Sequence, residues 1–158
     1  MLRCAVRVPD HGKLTPWRFL LIRGDARASL GELLARRCLE RHPGAAAASV
    51  DKDRMRFCHA PLVITVIARL TPGHKVPEQE QLLSGGAVCF SLLQAADALG
   101  FGAQWLTGWP AYDPVVRERL GVAAGELILG FIHVGTATSP TEERDRPDPF
   151  AITSELMP

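Results

Sequence analysis

Apolar runs without polar alternation predict the strands of this protein. The run at residues 17–23 is compact and is closed by the turn signal Gly24-Asp25, which predicts a short buried strand. Residues 61–69 are rich in β-branched side chains, which predicts a central strand covered on both faces. Two further strands are predicted at residues 101–106 and 127–135.

Apolar positions at helical spacing predict the helices. Residues 26–41 form an amphipathic helix that ends before His42-Pro43-Gly44, because proline and glycine prevent its continuation. Residues 44–50 are small and predict a surface loop, followed by a short helix over residues 51–57. Asp113-Pro114 provides an N-cap and a first helical residue for a further helix, and the chain from residue 136 onward is expected to wrap the surface.

The longest predicted helix runs from Glu78 to Leu99, and Gly100 is a natural residue to end it. Its middle, residues 82–93, is apolar nearly all round, so it must be buried on most sides, inside the domain or against another subunit. Gly85 and Gly86 weaken a helix, and close packing of the backbone is the predicted reason for them.

Length and charge limit the class of protein. We expect residues 1–158 to form one domain, with a mixed α+β or α/β architecture in which a sheet packs against helices. The strand patterns alone leave parallel and antiparallel pairing open. The 18 basic and 17 acidic residues nearly balance, which gives no electrostatic reason to expect a nucleic-acid partner. No apolar run approaches the roughly 18 residues of a membrane span.

The four cysteines are widely spaced and form no C-x-x-C pair, so neither a zinc site nor a redox dithiol is predicted. Asp10-His11 has no other histidine or cysteine at ligand spacing, so it is not expected to bind a metal. The segment Gly100-Phe101-Gly102 follows a predicted helix and is no dinucleotide fingerprint. We expect a cytoplasmic protein with reduced thiols.

One motif resembles a known family. Residues 5–19, Ala-Val-Arg-Val-Pro-Asp-His-Gly-Lys-Leu-Thr-Pro-Trp-Arg-Phe, are similar to a motif of flavin-dependent nitroreductases, and the Pro-Asp-His form is typical of the YdjA-type branch. Four more segments occur in the order that this branch uses, at residues 60–66, 74–77, 100–108 and 130–136. The resemblance therefore covers nearly the whole chain.

The resemblance implies an α+β nitroreductase-like fold, with a central, mainly antiparallel sheet flanked by helices. It further implies a homodimer with FMN at the subunit interface, and NADH or NADPH as the hydride donor. The flavin would reduce nitroaromatics, quinones or related small molecules by ping-pong hydride transfer, with no catalytic side chain required.

The resemblance also assigns residues. Arg7 and His11 match positions that contact the flavin from one subunit, and a fixed guanidinium such as that of Arg7 would stabilise the anionic reduced flavin. The stretch that contacts the flavin of the other site matches Trp105, Leu106 and Thr107. The helix end associated with the nicotinamide cofactor matches Ala95, Ala96, Asp97, Ala98, Leu99 and Gly100.

The chain departs from the family at its start. Family members begin with a helix whose Arg-Arg-Ser motif binds the FMN phosphate, whereas Met1 to Arg7 corresponds to the second helix of the family. We therefore expect either a start site placed too late or a shortened form. Arg144 and Arg146 are candidate phosphate anchors. The alternative function is a weak or inactive flavin-binding, dimerising remnant of the family.

Each candidate site residue could instead have a purely structural role. Arg7 and His11 could be a surface arginine and a turn histidine, and Arg144 and Arg146 could be solvated charges. Trp17 and Trp105 adjoin strands, which favours a role as core anchors over stacking on a flavin, although the backbone at Trp105 could still line the flavin site.

Overall fold

Four strands form one antiparallel sheet in the computed structural model, which describes residues 1–139 and 142–157. The order is β1-β2-β4-β3, with bounds Trp17–Arg23 for β1, Leu62–Ala68 for β2, Gly102–Leu106 for β3 and Leu127–Gly135 for β4. All three neighbouring pairs are antiparallel, which confirms the predicted α+β fold.

Five helices accompany the sheet in the described part of the chain. They are α1 (Leu2–Ala5), α2 (Asp25–Arg41), α3 (Ala47–Met55), α4 (Glu78–Ala98) and α5 (Pro114–Arg119). Short 3-10 turns lie at His11–Lys13, Trp109–Ala111 and Pro149–Ile152.

The predicted loop at residues 44–50 is wrong in its second half. Helix α3 begins at Ala47, because alanine is the strongest helix former even where the pattern of apolar residues is weak. The helix packs beside α2 and buries Val50 and Asp53.

Of the three hydrophobic clusters in the described residues, the two that include strand residues lie on opposite faces of the sheet, and the third lies between α2 and α3. Val63 and Ile67 of β2 pack with α2 and α5, whereas Ile64 and Val66 pack with α1 and α4. Both faces of β2 are therefore covered, as predicted for a central strand. Trp17 is 6% exposed and belongs to the second core, which confirms it as a core anchor.

Helix α4 is covered on one side only within the described chain. A Cβ on Gly85 would lie 2.3 Å from Cδ1 of Leu129, which confirms the predicted close packing there, but a Cβ on Gly86 would meet nothing within 4 Å. Leu83 is 66% exposed and Phe90 57% exposed, so part of the apolar helix faces outward. None of the helices in the described ranges is long and apolar enough to cross a membrane.

Candidate functional site

An open cleft of about 930 Å³ lies along the edge of the sheet, a size in the range that binds small molecules and cofactors. Strand β3 and the end of β4 form its floor. Its sides come from the segment before β2 and from residues after β4. The cleft is larger than a second hollow of about 300 Å³ in the described residues.

Trp105 and Leu106 of β3 line the cleft. Trp105 is 38% exposed, so the prediction that it is a core anchor is wrong. Its strand lies at the sheet edge, and its indole covers Gly130, where a Cβ would lie 2.0 Å from Trp105 Nε1. Trp105 Nε1 donates to the carbonyl oxygen of Leu129 at 3.0 Å, which holds the ring at the cleft wall. Thr107 follows directly and is exposed, but does not line the cleft.

Arg144 and Arg146 line the same cleft and follow the end of β4 in the chain. Both are exposed, and Nη1 of Arg146 donates to the carbonyl oxygens of Arg144 and Asp145 at 3.1 Å. Two carboxylates, those of Glu142 and Glu143, also line the cleft and offset part of this positive charge. The structure thus brings the predicted β3 residues and the two candidate phosphate arginines to one cleft.

His133 is a cleft residue that the sequence analysis missed. It is 7% exposed, and its ring stacks on Phe57 with 5.8 Å between centroids and a 24° interplanar angle. Burial, followed by the nearby His59 and Arg56, lowers the pKa of His133 to about 4, so the imidazole is neutral at pH 7. No hydrogen bond to this ring is found within the described residues. The only signal in the sequence was a polar residue inside the apolar run of β4.

Arg56 is the second residue that the sequence analysis missed. Its Nη2 and Nε donate to Oδ1 of Asp53 at 2.8 and 3.2 Å. Asp53 is 7% exposed and also accepts from Nε1 of Trp109 at 3.2 Å. This network fixes the guanidinium of Arg56 at the cleft wall, next to the exposed His59. Nothing in the local sequence distinguished Arg56 from other helix-end arginines.

Arg7 and His11 lie elsewhere. Arg7 is exposed, and Nδ1 of His11 lies 2.7 Å from Oε2 of Glu80 on α4. His11 borders a smaller hollow of about 300 Å³, which also includes the exposed Leu83. Neither Arg7 nor His11 lines the large cleft of its own chain.

The loop that carries His11 is held by hydrogen bonds to the side-chain carboxylate of Asp10. Asp10 accepts from the backbone N–H groups of Leu14 at 3.1 Å and Thr15 at 2.9 Å. Lys13 and Thr15 have φ values of 54° and 48°, a conformation that side-chain-bearing residues rarely adopt. Such strain persists only where the surroundings fix it, and it is concentrated at functional sites.

The segment predicted to contact the nicotinamide cofactor, residues 95–100, is buried at its start and exposed at its end. Ala95 and Ala96 are 6% and 0% exposed and pack inside the protein, so their side chains are inaccessible in this chain. The four following residues, Asp97, Ala98, Leu99 and Gly100, are exposed. Gly100 has φ = 78°, which is the left-handed conformation predicted for the end of this helix.

Comparison with known proteins decides the family. The model of the family described as "Nitroreductase family" matches residues 1–136. The chain belongs to the nitroreductase family. It is 38% identical over 136 residues to YdjA of Escherichia coli K12, named as a candidate NAD(P)H nitroreductase, covering 86% of this chain and 73% of that protein.

Solved structures support the nitroreductase fold. A nitroreductase-like family protein of Bacillus cereus superposes with a TM-score of 0.81 at 22% identity, covering 98% of this chain and 81% of that one. A candidate nitroreductase of Desulfovibrio desulfuricans, solved in complex with FMN, gives a TM-score of 0.73 at 21% identity, covering 99% and 82%. At 22% and 21% identity, these superpositions show that the chain has the nitroreductase fold.

Proposed function

We propose that this nitroreductase is an FMN-dependent NAD(P)H oxidoreductase that reduces nitroaromatic, quinone or related acceptors by ping-pong hydride transfer. Family membership and the named relatives support the oxidoreductase class and the predicted pair of cofactors, FMN and NAD(P)H. The observation that carries the proposal is the cleft, which is lined by Trp105 and Leu106 and also by Arg144 and Arg146.

The cleft residues fit the chemistry of FMN. When bound, FMN supplies the hydride transfer, so the protein has to bind, orient and tune it. In the proposal, the backbone around Trp105 to Thr107 hydrogen-bonds to the flavin ring, and Arg144 and Arg146 bind the phosphate. The buried ring of His133 fits as well, because a neutral imidazole offers one donor and one acceptor and has no hydrogen-bond partner among the described residues.

A complete site in this proposal needs two subunits. Arg7 and His11 lie away from the cleft of their own chain, and the adjacent α4 leaves Leu83 and Phe90 exposed. Large exposed apolar side chains on one helix face are typical of protein interfaces. In a homodimer with this interface, Arg7 and His11 would complete the flavin site of the neighbouring subunit, and Asp97 to Gly100 would contact the nicotinamide cofactor.

Two separated half-reactions test the function. Full-length protein is loaded with FMN and mixed anaerobically with NADPH, or separately with NADH, while the visible flavin absorbance is followed. The proposal predicts bleaching by one equivalent of donor and recovery of colour on addition of a nitroaromatic or quinone. Parallel double-reciprocal plots would support ping-pong turnover. Flavin that binds but is not reduced would instead identify the inactive remnant.

We also propose a cytoplasmic location for this protein. All four cysteines, Cys4, Cys38, Cys58 and Cys89, carry free thiols. Free thiols are usual in a reducing compartment, which supports this location. Fractionation of the native host, with the protein followed by antibody, tests it.

A further inference from the structure

The chain turns sharply just after β3, at the end of the stretch predicted to contact the flavin. Residues 105–107 form that stretch, and Gly108 follows with φ = 103° before the 3-10 turn Trp109–Ala111. Glycine permits this conformation but is itself flexible, so contacts from other residues have to fix the turn. Those contacts converge on the side chain of Trp109.

Trp109 anchors the turn between two helices. Its Nε1 donates to both carboxylate oxygens of Asp53 on α3, at 3.2 Å each. The guanidinium carbon of Arg41 on α2 lies 4.7 Å from the centroid of the Trp109 ring, which is within the distance of a cation–π contact. The indole is therefore held by a hydrogen bond at its edge and by a cation at its face.

Asp53 connects this anchor to the wall of the cleft. It is 7% exposed, and its Oδ1 also accepts from Nη2 and Nε of Arg56 at 2.8 and 3.2 Å. Arg56 lines the cleft, and a Cβ on Gly108 would lie 3.5 Å from its Nη1, so the guanidinium lies beside the turn. Burial and the nearby Asp53 raise the pKa of the Cys38 thiol, which keeps this neighbour uncharged. One buried carboxylate thus holds the turn and a side chain of the cleft wall together.

Resting on the proposed function, we propose that Asp53 is a positioning residue for the flavin reaction, which fixes the backbone of residues 105–108 through Trp109 and Arg56. Neither Asp53 nor Trp109 lines the cleft, so both act on the flavin only through the turn. A displacement of about 1 Å at the reacting groups can slow a reaction about 100-fold. A loosened turn should therefore slow hydride transfer more than it weakens FMN binding.

Two variants remove the contact and a third serves as a control. W109F keeps an aromatic ring but loses the N–H that donates to Asp53, and D53N keeps the shape of the side chain but loses its charge. The control is E126Q. Glu126 is a carboxylate that pairs with Arg18 and does not line the cleft, so E126Q removes a comparable ion pair elsewhere. W109F leaves Asp53 paired with Arg56, so it carries the test if D53N fails to fold.

Hydrogen–deuterium exchange on the full-length chain without added FMN tests the contact itself. We expect the amides of residues 105–111 to exchange about tenfold faster in W109F and D53N, because a lost hydrogen bond to a charged group shifts local opening by about this factor. E126Q should exchange in this segment as the wild type does. Wild-type exchange rates in both W109F and D53N would overturn the proposal.

Stopped-flow reduction of the FMN-loaded proteins by saturating NADPH or NADH tests the consequence. We expect about tenfold slower flavin reduction in W109F and D53N, with the FMN dissociation constant changed less than about threefold. The double variant D53N/W109F should be no slower than the slower single variant, because both changes remove one contact. E126Q should reduce its flavin at the wild-type rate.

The outcomes separate this role from the proposed function. Wild-type reduction rates in W109F and D53N, or equal losses in E126Q, would overturn the positioning role of Asp53 and leave the oxidoreductase activity standing. Weaker FMN binding with an unchanged reduction rate would also overturn it. Wild-type protein that binds FMN but is reduced by neither donor would overturn the proposed function, and the positioning role with it.

Discussion

Asp113 connects two helices and offers a quantitative test of the fold. One of its oxygens, Oδ1, accepts from the backbone N–H groups of Val115 and Val116 at 3.1 Å, which caps α5. The other, Oδ2, accepts from Nη2 of Arg37 on α2 at 2.9 Å. The residue is 7% exposed, so solvent can replace few of these bonds in the folded state.

The expected loss on D113A follows from these contacts. Removal of an N-cap costs about 1 kcal/mol. Removal of a charge-assisted hydrogen bond costs about 1.5–3 kcal/mol. Together they predict a decrease of about 3 kcal/mol in the free energy of unfolding. D113N keeps an oxygen that can cap the helix and loses the charge, so a decrease of about 2 kcal/mol is expected. D145A, in an exposed segment, should change stability by less than about 0.5 kcal/mol.

Urea denaturation followed by tryptophan fluorescence measures these differences. Burial opposes ionisation of Asp113, but hydrogen bonds from Arg37, Val116 and Val115 outweigh it and lower the pKa of this carboxyl below its usual value. Since the folded-state pKa is the lower one, the contribution is complete above the unfolded-state pKa and is lost as pH falls through the folded-state pKa. A loss below about 0.5 kcal/mol for D113A at pH 7 would refute this reasoning.

Three further predictions concern packing, pH and assembly. G31A places a Cβ 2.0 Å from a backbone oxygen of α3 and should cost about 1–3 kcal/mol in urea melts, whereas G85A meets a flexible leucine side chain and should cost less; equal losses would contradict this contrast. Hydrogen bonds from Arg18 lower the pKa of Glu126 to about 2, so the stability advantage of the wild type over E126Q should disappear as pH falls from 4.5 to 2; a constant difference in thermal melts would argue against it. F90K should shift sedimentation toward monomer if α4 forms the proposed interface, and an unchanged sedimentation coefficient would exclude Phe90 from it.

The secondary structure could be predicted where a short stretch of sequence determines its own conformation. The β-branched run of β2 and the Asp113-Pro114 start of α5 both specify their structure locally, and the structure confirms both. The start of α3 at Ala47 was missed because its alanines give a high helix propensity but no apolar pattern.

The cleft depends on distant parts of the chain and was therefore harder to predict. Arg56 and His133 come together only through the antiparallel register of β2 with β4, which no local pattern encodes. The prediction that Trp105 is buried in the core was wrong for a related reason. The sequence shows an aromatic residue in a strand, but not that the strand lies at the sheet edge with Gly130 beneath the indole.

Anaerobic titration of the FMN-loaded protein with NADPH tests the central claim most directly. The account predicts that the bound flavin loses its visible absorbance with one equivalent of donor and regains it when a nitroaromatic is added. FMN that binds to the protein but keeps its absorbance through excess NADPH and excess NADH would contradict the proposed oxidoreductase activity.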